Sequence, residues 1–187
     1  MKKPKREEFE IVELYSEKDI QEMVQILARE IAEDFKDLMQ QKNFQLVLVG
    51  ILNGAVPFIG DLARALSKYF PLGILEIDYL AISSHREGGP IRLEKDTKKP
   101  LKNKHVLVVE DITDTGRTLE EIMKIIAAKD PASIRICVLI DRYSPTEKVV
   151  KPDYVGFTVC KPHWLVGYGL DDKGIGRELP FIGYLKR

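Results

Sequence analysis

Hydrophobic positions along the chain follow two alternating rhythms. One is helical. Ile20, Met23, Val24, Leu27, Ile31, Phe35 and Leu38 recur at three- and four-residue spacing. Ser16 can cap this run and Asp19 falls in its first turn, which predicts a helix over 16–41. The same period predicts helices over 57–70 (PFIGDLARALSKYF) and 115–129. The other rhythm is a short continuous apolar run, the mark of a strand buried on both faces. FQLVLVGIL (44–52), LGILEIDYLAIS (72–83), HVLVVED (105–111) and SIRICVLID (133–141) read this way, and DYVGFTV (153–159) and WLVGYGL (164–170) predict two more short strands. Between 84 and 104 the pattern dissolves into SHREGGPIRLEKDTKKPLKNK, with only IRLE apolar enough for a strand. A polar loop of that length inside a compact domain is usually functional or disordered.

Strands alternating with helices predict an α/β fold with a central parallel sheet and helices on both faces. Ligands of such sheets bind beyond the carboxyl ends of the strands. Four segments should therefore meet: Asn53-Gly54, residues 111–118, Asp141-Arg142 and the stretch 164–171. No internal repeat or low-complexity segment divides the chain, and its 187 residues suit one domain over 1–187.

Composition narrows the class. Apolar residues make up 44% and charged residues 31%, as in an ordinary soluble globular protein. Lys+Arg and Asp+Glu balance at 29 each, which argues against a broad electrostatic grip on nucleic acid or membrane. The opening MKKPKREEFE has no apolar run behind it, and no later stretch approaches the length of a membrane span. A cytoplasmic protein is expected. Cys137 and Cys160 each lie in an apolar stretch and read as buried free thiols.

The chemistry concentrates in residues 110–118. TDTGRT (113–118) leaves a strand and opens a helix, whose first N–H groups and partial positive charge attract phosphate. Gly116 permits close backbone approach, Thr115 and Thr118 add hydroxyls, and Arg117 adds a cation. A plain capping role for Asp114 or Thr115 is the bland alternative. Adjacent carboxylates at Glu110 and Asp111 suit sugar hydroxyls or a divalent metal, or form a solvated strand end with a lysine partner. Neither G-x-x-x-x-G-K-[ST] nor a G-x-G-x-x-G between strand and helix occurs, so this is not the P-loop or dinucleotide solution.

VLVVEDITDTGRTL (106–119) resembles the phosphoribosyl-pyrophosphate (PRPP) signature of type I phosphoribosyltransferases. Its Glu-Asp, two residues, then Asp-Thr-Gly is similar to the hypoxanthine-guanine branch. WLVGYGLDDKGIGRELPFIGYL (164–185) resembles that branch's purine-binding and C-terminal stretch, and GILNGAVPF (50–58) sits where the first pyrophosphate loop belongs. The resemblance implies the type I phosphoribosyltransferase fold, with a small hood formed by the N-terminal segment and roughly residues 160–187.

It also implies a reaction. A 6-oxopurine base attacks C1 of PRPP and expels pyrophosphate, giving IMP or GMP. By the same resemblance, Glu110 and Asp111 would hold the ribose hydroxyls and help organise magnesium (Mg2+). Thr113 and residues Thr115, Gly116, Arg117 and Thr118 would take the 5-phosphate. Asp114 would accept the proton at purine N7, work typically worth about 100- to 10,000-fold. Asn53, Gly54 and Arg177 would meet pyrophosphate, and Asp171 the metal that carries it. Arg142, Trp164, Leu165 and Asp171 would surround the purine, and Ser83, Ser84 and His85 would belong to a lid. Relatives imply a homodimer or homotetramer, and no partnership with nucleic acid or membrane.

Three positions depart from the family pattern. The usual Leu-Lys-Gly is Leu52-Asn53-Gly54, the lid's Ser-Tyr is Ser84-His85, and the lysine toward purine O6 is Arg142, a planar fork in place of a compact ammonium. These leave a xanthine- or other purine-preferring transferase open. VLIDR (138–142) faintly resembles RNA-binding pyrimidine regulators of the same fold, but the acid at 114 and the zero net charge count against that class.

Overall fold

The structure is a computed structural model and describes residues 10–84, 91–143, 148–160 and 163–186. The chain runs through β1 (Ile11–Tyr15), α1 (Glu17–Phe35), β2 (Leu46–Leu52), α2 (Val56–Leu66), β3 (Leu75–Ser84) and β4 (Ile91–Lys95). It continues through β5 (His105–Thr113), α3 (Arg117–Ala127), β6 (Ser133–Arg142), β7 (Tyr154–Val159), β8 (Leu165–Val166) and β9 (Ile182–Leu185).

The central sheet has the order β4-β3-β2-β5-β6-β7, parallel throughout except for the antiparallel edge strand β4. Strand residues alternate between its faces. Leu46, Leu48, Leu107 and Val109 pack with α1 and α2, whereas Val47, Val49, Val106 and Val108 pack with Leu119, Ile122 and Ile126 of α3. Each such side chain contributes about 1.5–3 kcal/mol on burial. The apolar runs are continuous because helices cover both faces, as the pattern required. A second sheet, β1-β9-β8, joins the two ends of the chain into the hood.

Four expectations change. The first helix ends at Phe35 and a short 3-10 turn, Leu38–Gln40, follows. Its start is as expected: the Asp19 N–H donates to Ser16 Oγ (3.2 Å) and the Ser16 N–H donates to Asp19 Oδ2 (2.9 Å). Leu38 still packs against the core, but from the tighter turn, so apolar spacing overstated the helix. Within the polar stretch, Ile91–Lys95 forms β4, so part of the expected loop is one arm of a hairpin. The strand expected over 164–170 stops at Val166, because Gly167, Tyr168 and Gly169 all take positive φ (98°, 49° and 100°). Cys137 is buried as expected, but Cys160 is exposed just past the end of β7. No helix among the described residues is long and apolar enough to cross a membrane.

Candidate active site

The chain leaves β2 toward β3 on one side, and later elements build outward through β5, β6 and β7 on the other. The strand order therefore reverses between β2 and β5, where α/β sheets open a crevice at their carboxyl ends. A cavity of about 510 Å³ lies there. Ile51, Leu52 and Gly54 line it from the end of β2, and residues 110–119 from the end of β5 and the start of α3. Arg142 enters from β6, and Trp164, Leu165, Leu170, Asp171 and Arg177 from the hood.

The floor is acidic. Glu110 is 7% exposed, and Asp111 beside it is half-buried. Their oxygens accept from backbone N–H groups: Glu110 Oε1 from Asp111 (3.1 Å) and Asp111 Oδ1 from Ile112 (2.8 Å). Burial, and then the neighbouring Asp111 carboxylate, pushes the Glu110 carboxyl well above the usual carboxylate range. The β2 exit lies directly on this pair. A Cβ at Gly54 would sit 1.6 Å from Asp111 Oδ2, and one at Gly169 would sit 1.9 Å from the Gly54 carbonyl oxygen. Only glycines let the first loop lie against the Asp111 carboxylate and the hood lie against the first loop's backbone. The Leu52–Asn53 peptide is cis. Asn53 is exposed and stands outside the cavity lining, so of the expected pyrophosphate residues only Gly54 and Arg177 line it.

The anion end is the turn from β5 into α3. Gly116 is the N-cap at φ 80°, a conformation that favours glycine, and no side chain caps the helix. The capping alternative for Asp114 and Thr115 is thereby set aside. Both side chains are free to face the cavity, together with Arg117 and Thr118. The segment after β6 braces this turn: the Val149 N–H donates to the Thr115 carbonyl (3.1 Å), and a Cβ on Gly116 would strike Val150 O at 2.7 Å. Thr113 is buried at the end of β5, in register with Asp141 of β6.

The opposite end is aromatic and cationic. Trp164 is 57% exposed, which sets aside a core role. Its indole N–H donates to the Asp171 carbonyl (2.9 Å). Arg142 donates one N–H to the His163 carbonyl (3.0 Å), and its Nε is buried with no hydrogen-bond partner among the described residues. Leu165 lies in β8, the edge of the small sheet, so one side of its backbone has no strand partner among the described residues. Asp171 is held in place: one oxygen pairs with Arg177, and the other accepts from the Gly174 N–H (2.6 Å). Arg177 also donates to the Gly169 carbonyl. Asp171 and Arg177 thus form an ion pair, and both members line the cavity.

Of the expected lid residues, Ser83 and Ser84 end β3, and Ile82 before them lines the cavity. His85 lies outside the described residues. Sequence reasoning missed Ile51, Ile82 and Leu170, whose apolar side chains read as core, and Lys148. The Lys148 ammonium donates to the Asp141 carboxylate and to the Arg142 carbonyl (2.9 Å). No motif surrounds it, so only the fold could find it.

Comparison with known proteins gives a consistent result. The family model described as phosphoribosyl transferase domain matches residues 18–173. The chain is 36% identical over 177 residues to hypoxanthine-guanine phosphoribosyltransferase of Dictyostelium discoideum, covering 92% of this chain and 94% of that protein. It is 34% identical over 177 residues to the bifunctional protein TilS/HprT of Listeria innocua, covering 92% of this chain but only 26% of that longer protein. A solved structure of Trypanosoma cruzi hypoxanthine phosphoribosyl transferase, 32% identical, superposes with a TM-score of 0.87 over 98% of this chain and 95% of that one.

Proposed function

This chain belongs to the phosphoribosyl transferase family, and from that membership we propose that it is a purine salvage enzyme. It transfers the phosphoribosyl group of PRPP to N9 of hypoxanthine or guanine and releases pyrophosphate. One observation carries the reading: a single cavity is lined by a helix-terminal anion loop, by two adjacent carboxylates, and by an exposed indole with a donor-only guanidinium. A molecule with a phosphate, ribose hydroxyls and a flat base engages all three zones.

The residues divide the work. Thr115, Gly116, Arg117 and Thr118 take the 5-phosphate on free helix N–H groups and hydroxyls, with Thr113 setting the turn. Glu110 and Asp111 accept hydrogen bonds from the ribose hydroxyls. Trp164 stacks on the base, and the free edge of Leu165 offers backbone groups to its rim. Asp114 accepts the N7 proton, which makes N9 a better nucleophile toward C1. As the C1–oxygen bond breaks, positive charge grows on the ribose, and the carboxylates below favour it. Gly54 presents backbone to the departing pyrophosphate, with Arg177 as its cation and Asn53 at its border. Ser83 and Ser84 approach from the β3 end, where the lid would close.

Arg142 sets the choice of base. A guanidinium has donors and no acceptor, and the buried Nε of Arg142 lacks a partner. A 6-oxo group satisfies it, whereas the amino group of adenine leaves donor against donor.

The donor set also fits magnesium. Mg2+ is bound through one or two carboxylates together with substrate phosphate oxygens, not by an all-protein cage. The described residues hold no cluster of three or more ligating side chains, yet Glu110 and Asp111 form an oxygen-only pair held at raised charge cost. Mg2+ carried in with PRPP would neutralise the pyrophosphate as it leaves. Asp171 would join once Arg177 turns from it toward pyrophosphate. The balanced charge is consistent with a cytoplasmic enzyme, and the family with a homodimer or homotetramer.

Asp114→Asn tests the assignment. It keeps the shape but cannot take the proton, so kcat should fall about 100- to 10,000-fold with PRPP binding kept. Near wild-type turnover would remove Asp114 from this role. Chelation should abolish activity and added Mg2+ should restore it; full turnover in excess chelator would contradict the metal assignment.

A further inference from the structure

The scheme above leaves the largely covered cation of Lys148 unused. The Lys148 side chain is 12% exposed, and its ammonium binds the Asp141 carboxylate and the Arg142 carbonyl. Asp141 is the register partner of Thr113, the residue before Asp114, so the pair lies behind the turn where Asp114 leaves β5. Backbone contacts hold the lysine there independently of its charge: Val149 N–H to Thr115 O, and Val150 against Gly116. Burial pulls the Lys148 ammonium below its usual range, and the charge of Asp114 opposes that pull, so the two groups sense each other. Lys148 itself does not line the cavity.

The surrounding charges show what the lysine does. The cavity is lined by Glu110, Asp111, Asp114 and Asp171, against Arg117, Arg142 and Arg177. Asp141 brings a further carboxylate to the edge of this set, and Lys148 matches it. Without that cation, Asp141 and Asp114, one register position apart at neighbouring strand ends, would repel each other and disturb the turn that aims Asp114.

We propose that Lys148 is a positioning residue for the transfer: it neutralises Asp141 and fixes the Arg142 backbone, and so keeps Asp114 ready to take the purine proton without touching either substrate. The proposal rests on the reading of Asp114 as proton acceptor. It assigns a role to a segment, 148–150, that otherwise only braces the anion loop.

The test is steady-state kinetics with hypoxanthine and PRPP on Lys148→Gln, Lys148→Arg and the double variant Lys148→Gln/Asp141→Asn. Glutamine removes the charge and keeps an amide donor on a stem one methylene shorter, so the chain should keep its fold. Its kcat should fall about 10- to 100-fold, the scale on which a small misplacement of a reacting group slows an oriented reaction, with KM for PRPP changed less than about threefold. Removing the charge of Asp141 in the same chain should restore kcat to within about fivefold of wild type. Arginine should retain most turnover. A purely structural role for Lys148 would not be rescued by deleting a second member of the pair. Wild-type kcat in Lys148→Gln, a double variant as slow as the single, or Lys148→Arg falling as far as Lys148→Gln would each overturn the proposal. Asp114→Asn measured alongside separates the two ideas. If it collapses while Lys148→Gln does not, this inference alone fails; if it turns over normally, the proton-acceptor reading fails first.

Discussion

Glu76 and Glu110 stand at opposite ends of one sheet and meet opposite surroundings. Glu76, near the start of β3, is paired with Lys104 (3.1 Å) and Lys99 (3.2 Å). Burial alone would raise its carboxyl, but the two lysines outweigh burial and hold it below the usual value. Nearby, Asp153 is matched by Arg135 and the Ile136 N–H, and His105 Nδ1 meets Ser133 Oγ at 2.7 Å. Glu110, near the end of β5, faces another acid, and its carboxyl is driven up. The amino end of the sheet satisfies its own polar groups. The carboxyl end sets the Glu110 and Asp111 carboxylates side by side with no ion-pair partner among the described residues, which marks it as the working end.

The largest break in this contrast should come from Asp111→Asn. Removing a carboxylate that faces the developing ribose charge should lower kcat/KM for PRPP about 100- to 1,000-fold. A loss below tenfold would mean that the acid pair is ornament to the chemistry.

A paired measurement of stability sharpens the contrast. Glu110 has its folded value raised, so its contribution is present at low pH and is lost as pH rises through that raised value. At neutral pH, Glu110→Gln should therefore melt higher than wild type without substrate, by about 2–4 °C for each ~1 kcal/mol recovered, while losing activity. Glu76 has its folded value lowered. Its contribution is present above the ordinary glutamate range and is lost as pH falls through the lowered value. Glu76→Gln should melt lower at neutral pH by a similar or smaller amount, converge on wild type in acid, and keep its turnover. Thermal melts across pH check both signs; equal shifts in the two variants would erase the distinction between the ends.

The same contrast explains what the sequence could disclose. The turn 110–118 was legible because strand, loop and helix are contiguous there, and their residues state phosphate, hydroxyl and acid together. The two-faced core was legible because continuous apolar runs have no other explanation in a strand of seven to ten residues. Features made by distant segments were not. Nothing local announces that Gly169 lies on Gly54, that β1 pairs with β9, or that Lys148 reaches Asp141. Cys160 misled for a related reason: its neighbours are apolar, but β7 ends one residue earlier. The strand at 164–170 failed on backbone geometry, since three consecutive positive φ values override apolar content.

The central claim is that this cavity recognises a 6-oxopurine beside PRPP, and a base panel tests it most directly. With PRPP and Mg2+ present, release of pyrophosphate should be measured for hypoxanthine, guanine, xanthine and adenine. The donor-only Arg142 predicts turnover of hypoxanthine and guanine, with adenine disfavoured by about 10,000-fold, the scale on which a site built around a hydrogen bond rejects the wrong partner. Adenine used as readily as hypoxanthine would contradict the account.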